Sequence, residues 1–276
     1  MFEPEIRDVT PPGGAPIAEV YFGSLARGTA TITVWVTTGG TVRELRGAIR
    51  QPTVGSYVGY DRAVPTGPAS YQAEMFDARG NSLGWTGSRT IELGFTDSWI
   101  HNPLDPDGAV RVRLLEGSEE SVRRPPQGHL VLPLGRADSI WVGTGRAGVT
   151  GVKFAIYTDT VADVERMLAM LGTPDKPLTP IVCFRFGAGQ GRLLPSPFYA
   201  ALPGGTDMQE VSGTADELGV IHEMQATQAL PPAPGIFVPL LTYAHLNAYY
   251  DSYAAAGSDN QSYATLARRI DIARSA

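Results

Sequence analysis

The apolar positions change period most clearly between residues 151 and 186. Residues 151–157 (GVKFAIY) alternate Val152, Phe154 and Ile156 with other side chains, the period of a half-buried strand. From Thr160 the spacing turns helical: Asp163 three residues on completes a capping box, and Val161, Val164, Leu168 and Leu171 fall on one face. Gly172 and Pro174 stop the helix, which is predicted over 160–171. Residues 181–186 (IVCFRF) then read as a second buried strand.

Nearly everything else reads as strand and turn. Residues 1–16 are rich in Pro, Gly and acid and are expected as an extended arm. Strands are predicted at 17–22, 29–36 and 41–49, with a short irregular one near 57–60. Residues 70–76 and 82–93 form the clearest hairpin, with Gly80 or Asn81 supplying the positive φ of its turn. About six short strands in so short a stretch predict an immunoglobulin- or fibronectin type III-like sandwich over 17–95, and SYQAEMFDARGNSLGWTGSRTIEL resembles the last hairpin of a fibronectin type III domain.

The Pro- and acid-rich stretch 94–106 predicts a domain boundary, after which a second β domain, a sandwich or barrel with one flanking helix, is expected over 96–235. A single crossover helix does not make a doubly wound sheet. Residues 236–276 change character. Thr242 is placed to cap a helix with Tyr243, Leu246, Tyr250 and Tyr253 on one face; after a break at 257–260, Tyr263, Leu266 and Ile270 continue the pattern. Such a face packs either on its own domain or on another subunit.

Composition agrees with a chain of strands and turns: 32 Gly and 22 Pro against only 18% charged residues. A net charge of −6 argues against nonspecific nucleic-acid binding through a basic patch. The lone Cys183 lies in an apolar run and reads as a small buried hydrophobe. No apolar run approaches the ~20 residues of a membrane span, and the first residues lack the pattern of a secretion signal.

Candidate chemistry is sparse. Gly143, Gly145 and Gly148 match G-x-G-x-x-G but lead into a strand instead of a helix, so a hairpin turn is expected; Gly187, Gly189 and Gly191 lack the Lys-Ser/Thr of a phosphate loop. His222-Glu223 has Ala226 where a second zinc ligand would stand. No catalytic, cofactor or metal residue is therefore assigned. Trp85, Trp99, Tyr57 and Tyr60 are candidates to stack on sugar rings if exposed.

Residues 96–115 (TDSWIHNPLDPDGAVRVRLL), 151–171 and PGIFVPLL with the Tyr- and Ala-rich end resemble, in sequence and in order, minor tail proteins of long-tailed phages infecting Actinobacteria. The likeness runs from about residue 71 to the end. It implies a non-enzymatic structural protein of the virion, made in the host cytoplasm and assembled as a ring at the tail tip. Its expected partners are further copies of itself, as a trimer or hexamer, and other tail proteins. The aromatic face of Tyr243, Leu246, Tyr250, Tyr253, Tyr263 and Leu266 is the expected interface. The rival expectation is a carbohydrate-binding module or adhesin holding host-wall glycan; a tail-borne hydrolase would need a carboxylate pair or metal site.

Overall fold

The computed structural model describes residues 2–172, 181–212, 218–232 and 243–260, together with Leu266 and Ile272. Strands dominate. The first unit contains β1 (Glu5–Asp8), β2 (Ala18–Phe22), β3 (Thr31–Thr38), β4 (Thr41–Glu44), β5 (Gln51–Pro52), β6 (Tyr57–Asp61), β7 (Gly67–Phe76), β8 (Ser82–Trp85) and β9 (Arg89–Leu93). They form two antiparallel sheets, β1-β2-β6 and β4-β3-β7-β8, with β5 also pairing β3 and β9 also pairing β7.

Period-2 alternation builds the core between these sheets. Ala18, Val20 and Phe22 face Ile32, Val34 and Val36 and also Tyr71, Ala73 and Met75, all buried in one cluster. A slip of one residue in any pairing would turn those side chains to solvent. The β3–β4 register is set by Gly39 and Gly40, both at positive φ (54° and 82°), which let Thr38 pair with Thr41 across a two-residue turn.

Three expectations for this unit need correction. Residues 5–8, expected within an extended arm with no strand of its own, pair as an edge strand on β2. The strand predicted over 41–49 stops at Glu44, because the chain turns to bring Leu45 and Ala48 into the core, where both bond to the backbone of Val34. The returning strand 82–93 is split at Thr86, whose hydroxyl takes the Ala73 N–H at 3.0 Å.

The second unit contains β10 (Ser98–Asn102), β11 (Asp105–Leu114), β12 (Pro126–Val131), β13 (Ile140–Arg146), β14 (Val152–Thr158), α1 (Val161–Leu171), β15 (Ile181–Arg185), β16 (Phe198–Ala201), β17 (Thr206–Ser212) and β18 (Leu218–Gln228). Strands β10, β11, β14, β18, β16 and β15 pair in that order, and β15 pairs β10 again, so six antiparallel strands close a barrel. Closure leaves no free edge within the ring. Phe154, Phe184, Phe186 and Phe198 fill the barrel, Phe154 stacked on Phe184 at 4.5 Å between centroids.

Helix α1 begins as the capping box predicts: the Thr160 hydroxyl accepts the Asp163 N–H at 3.0 Å, and Gly172 ends it at positive φ. Its buried face is rotated from the predicted one. Met167 and Met170 enter the barrel core, whereas Val161 and Leu168 stay exposed. Within the stretch 94–106, expected as a domain boundary, lie β10, every residue of which is buried, and the tight turn into β11, where Asn102 Oδ1 accepts the Leu104 N–H at 2.9 Å. Pro103 sits in the hairpin turn, while Asp105, Pro106 and Asp107 open β11.

Near the end of the chain lie α2 (Tyr243–Tyr249) and α3 (Tyr253–Asp259). The helix expected from Thr242 onward is interrupted at Tyr250–Ser252, where the Ser252 hydroxyl caps α3 by accepting the Ala255 N–H at 3.2 Å, and α3 ends at Asp259, within the break expected at 257–260. Thr242, Tyr263 and Ile270 lie outside the described residues.

Candidate functional site

Where the sandwich meets the barrel, guanidinium groups are packed at unusual density. Arg46, next to the sandwich core, donates to the carbonyls of Pro232 at 2.7 Å and Pro103 at 3.1 Å. Arg185 of β15 donates to the carbonyl of Pro16, just ahead of β2. Arg62 pairs with Asp107 at 2.9 Å. A carbonyl outside a strand ladder needs a donor from elsewhere in the chain, and these guanidinium groups supply it. Close by, Asp61 accepts from Arg43, from the Tyr71 hydroxyl at 3.0 Å and from the Ala63 N–H at 2.9 Å.

Burial decides the protonation of this region. Burial, with Arg185, Arg46 and Arg62 adding repulsion, holds His101 well below its usual pKa, so its ring is neutral. Burial pushes the Cys183 thiol up to about 12 and the Tyr71 and Tyr199 phenols up as well. The Tyr199 ring lies 6.0 Å from the Arg46 guanidinium. The histidine is deprotonated and the thiol and phenols keep their protons; the arrangement clamps two units together and offers no activated nucleophile.

The sugar-stacking candidates are not gathered into one surface. Trp85 on β8 is 50% exposed and tilts against Trp35 of β3 at 6.2 Å between centroids. Trp99 on β10 is only 7% exposed, which corrects its candidacy for stacking on a ligand. Tyr57 and Tyr60 lie on β6, in the other sheet of the sandwich, and their odd spacing sends them to opposite faces. Burial pushes the Tyr57 phenol up to about 12, and its hydroxyl donates to the Gly47 carbonyl at 3.3 Å. The Arg62 guanidinium sits over Tyr60 at 5.6 Å.

Of the aromatic face predicted at the chain end, Tyr243 and Tyr253 are each 69% exposed, while Leu246, Tyr250 and Leu266 are half-buried. Tyr250 turns its hydroxyl toward Asn260, which donates to it at 2.9 Å, and toward Asp259. Leu246, Tyr250, Ser252, Tyr253 and Ala256 line a cleft of about 280 Å³. Tyr263 lies outside the described residues.

The glycine motifs serve packing. A Cβ on Gly187 would meet the Thr96 carbonyl oxygen at 2.0 Å, and its N–H donates to the Ser98 hydroxyl at 3.0 Å. Gly143 and Gly145 lie within β13, as strand residues. His222 is buried against the Thr158 hydroxyl at 2.9 Å. Among the described residues no group of His, Cys, Asp and Glu is placed to hold a metal ion.

The hairpin of β12 and β13, legible in the sequence as strands near 128–133 and 139–142 of the second domain, forms a surface outside the barrel that the sequence did not reveal. Among the described residues its strands pair only with each other, and every residue in both is exposed. Leu130 and Trp141 lie on one face, at 67% and 45% exposure, and Val131, Ile140 and Val142 lie on the other, with Leu132 and Leu134 at the tip. The hairpin is braced. Trp141 lies over Gly128, where a Cβ would meet the ring at 2.5 Å, and at the base Arg124 donates to the Leu193 carbonyl at 3.0 Å. The available signal was LVLPL followed by IWV, apolar runs with no polar face, which suit a strand that is covered on both sides.

Fold and surface define a mainly β chain: a two-sheet sandwich, a closed six-stranded barrel clamped to it by arginines, and an apolar arm projecting from the barrel. Comparison with family models, curated proteins and solved structures finds no match to it.

Proposed function

We propose that this chain is a non-enzymatic structural protein of a phage virion, a minor tail protein that assembles as a ring at the tail tip between the tail tube and the host-recognition apparatus. The observation that carries this reading is the 126–146 hairpin. Two strands alone are marginal in water, and one with seven large apolar side chains exposed on both faces needs a protein surface to cover it. A repeating subunit supplies that surface through its neighbours. The order β1-β2-β6 facing β4-β3-β7-β8 supports a fibronectin type III-like sandwich on the outside of the assembly, and the resemblance of residues 96–115 and 151–171 to minor tail proteins supports the setting.

The test is the solution mass of the purified protein across a concentration range, by light scattering coupled to size exclusion. A discrete closed oligomer of three or six copies is the expected result; a monomer at every concentration, alone and with tail extract, overturns it. Removing residues 242–276 tests the terminal aromatic segment as a second tie, with weaker oligomerisation expected.

A second reading, contact with host-wall glycan, is favoured by one observation, the exposed Trp85 beside Trp35. Glycan pull-down that is lost on Trp85→Ala supports it; equal retention by both proteins removes it.

A further inference from the structure

The geometry points to where the arm of one copy lands: on the open edge of β17 in a second copy of this chain. This rests on the assembly reading above and adds the receiving surface to it. Three observations lead there. Strand β17 hangs outside the closed ring and among the described residues pairs along β18 alone, so its other edge presents N–H and C=O groups that no described strand pairs. Residues 207–211 are exposed on both faces, with Met208 at 50%, and this edge carries no proline to block pairing. The arm has the matching properties, two free edges and apolar side chains on both faces.

Charge selects the pairing. The arm, residues 126–146, holds Arg136 and Arg146 against Asp138, a net charge of +1, and Arg123 and Arg124 add two more positive charges at its base. The described part of the β17–β18 ribbon carries Asp207, Glu210 and Glu223 with no Lys or Arg, a net charge of −3. Like charges repel two arms or two β17 edges, so the favoured contact is heterologous, arm to edge. Heterologous contacts propagate from copy to copy and close into a ring when the rotation permits. The size is adequate as well: the arm offers 21 residues, against the roughly 20–30 a side of a standard interface.

Charge reversal in the full-length protein tests this. Arg136, Arg146, Asp207 and Glu210 are all exposed, so reversing them leaves folding intact, checked by circular dichroism. Arg136→Glu with Arg146→Glu, and separately Asp207→Arg with Glu210→Arg, are expected to weaken self-association at least tenfold by sedimentation. Mixing the two double variants is expected to restore association between unlike copies. Wild-type protein that self-associates while both variants do so equally well, or variants that weaken without recovery on mixing, would overturn the docking site and leave the ring reading standing. A wild-type chain that stays monomeric, alone and with tail extract, would overturn both.

Discussion

The Arg185 guanidinium, the largest fully buried side chain among the described residues, donates through Nη1 to the carbonyl oxygen of Pro16, so a barrel strand is tied to the entry of the sandwich. Its Nε has no hydrogen-bond partner. Removing the side chain leaves both a cavity and an unpaired buried carbonyl. Arg185→Ala is therefore expected to lower stability by about 3–5 kcal/mol, read as a fall in the denaturant midpoint. Arg7→Ala breaks an ion pair whose two side chains are 58% and 60% exposed, and is expected to cost under about 0.5 kcal/mol.

Acid should loosen the molecule through its buried histidines. His101 and His222 have folded pKa values lowered by burial. The unfolded chain therefore takes up these protons first. Stability is complete above the unfolded value near ~6.5 and falls as pH drops below it, by about 1.4 kcal/mol per pH unit for each histidine, until the folded pKa is reached. Thermal melts between pH 7.5 and 5 check the slope, and His101→Gln is expected to make it shallower.

The single thiol should be inert in the native state. Cys183 is buried and its thiol is pushed up to about 12. Its thiolate fraction at pH 8 is lower than that of an unfolded cysteine by roughly 10³-fold. Disulfide-exchange labelling at pH 8 is expected to proceed only as fast as the protein unfolds, and to reach one thiol per chain in denaturant. Full labelling within minutes in buffer would contradict the burial.

The arm can be disturbed without touching either core. A Cβ at Gly143 would lie 2.2 Å from the Gln127 carbonyl oxygen and 2.6 Å from the Gly128 Cα, so Gly143→Ala must break the bulge that joins β12 to β13. The expected result is a loss of self-association with global stability within about 0.5 kcal/mol of wild type. Equal oligomerisation by the variant would remove the hairpin from the interface.

How much of this could be read from the chain varies by element. The period change at Thr160 identified α1 and its capping box, because capping chemistry is local and needs no tertiary partner. The same periodicity put Leu168 on the buried face, yet Met167 and Met170 are the ones inside; which stripe of a helix is buried depends on the surface it meets. Strand β10 was hidden among Pro and Asp residues, since its hairpin turn has the composition of a linker. The local patterns of residues 29–36 and 151–157 were enough to declare strands, found at Thr31–Thr38 and Val152–Thr158.

Sequence by itself determined the strand-rich class, the helix and the lack of any recognisable motif with its full ligand set. Tertiary structure alone decided that six strands close on themselves, that Arg46 and Arg185 reach carbonyls 57, 186 and 169 residues away, and that among the described residues β12 and β13 form a sheet of their own. Periodicity records which side of a strand is apolar. It carries no information about which distant strand pairs with it, because that choice rests on contacts whose sequence separation no local window spans.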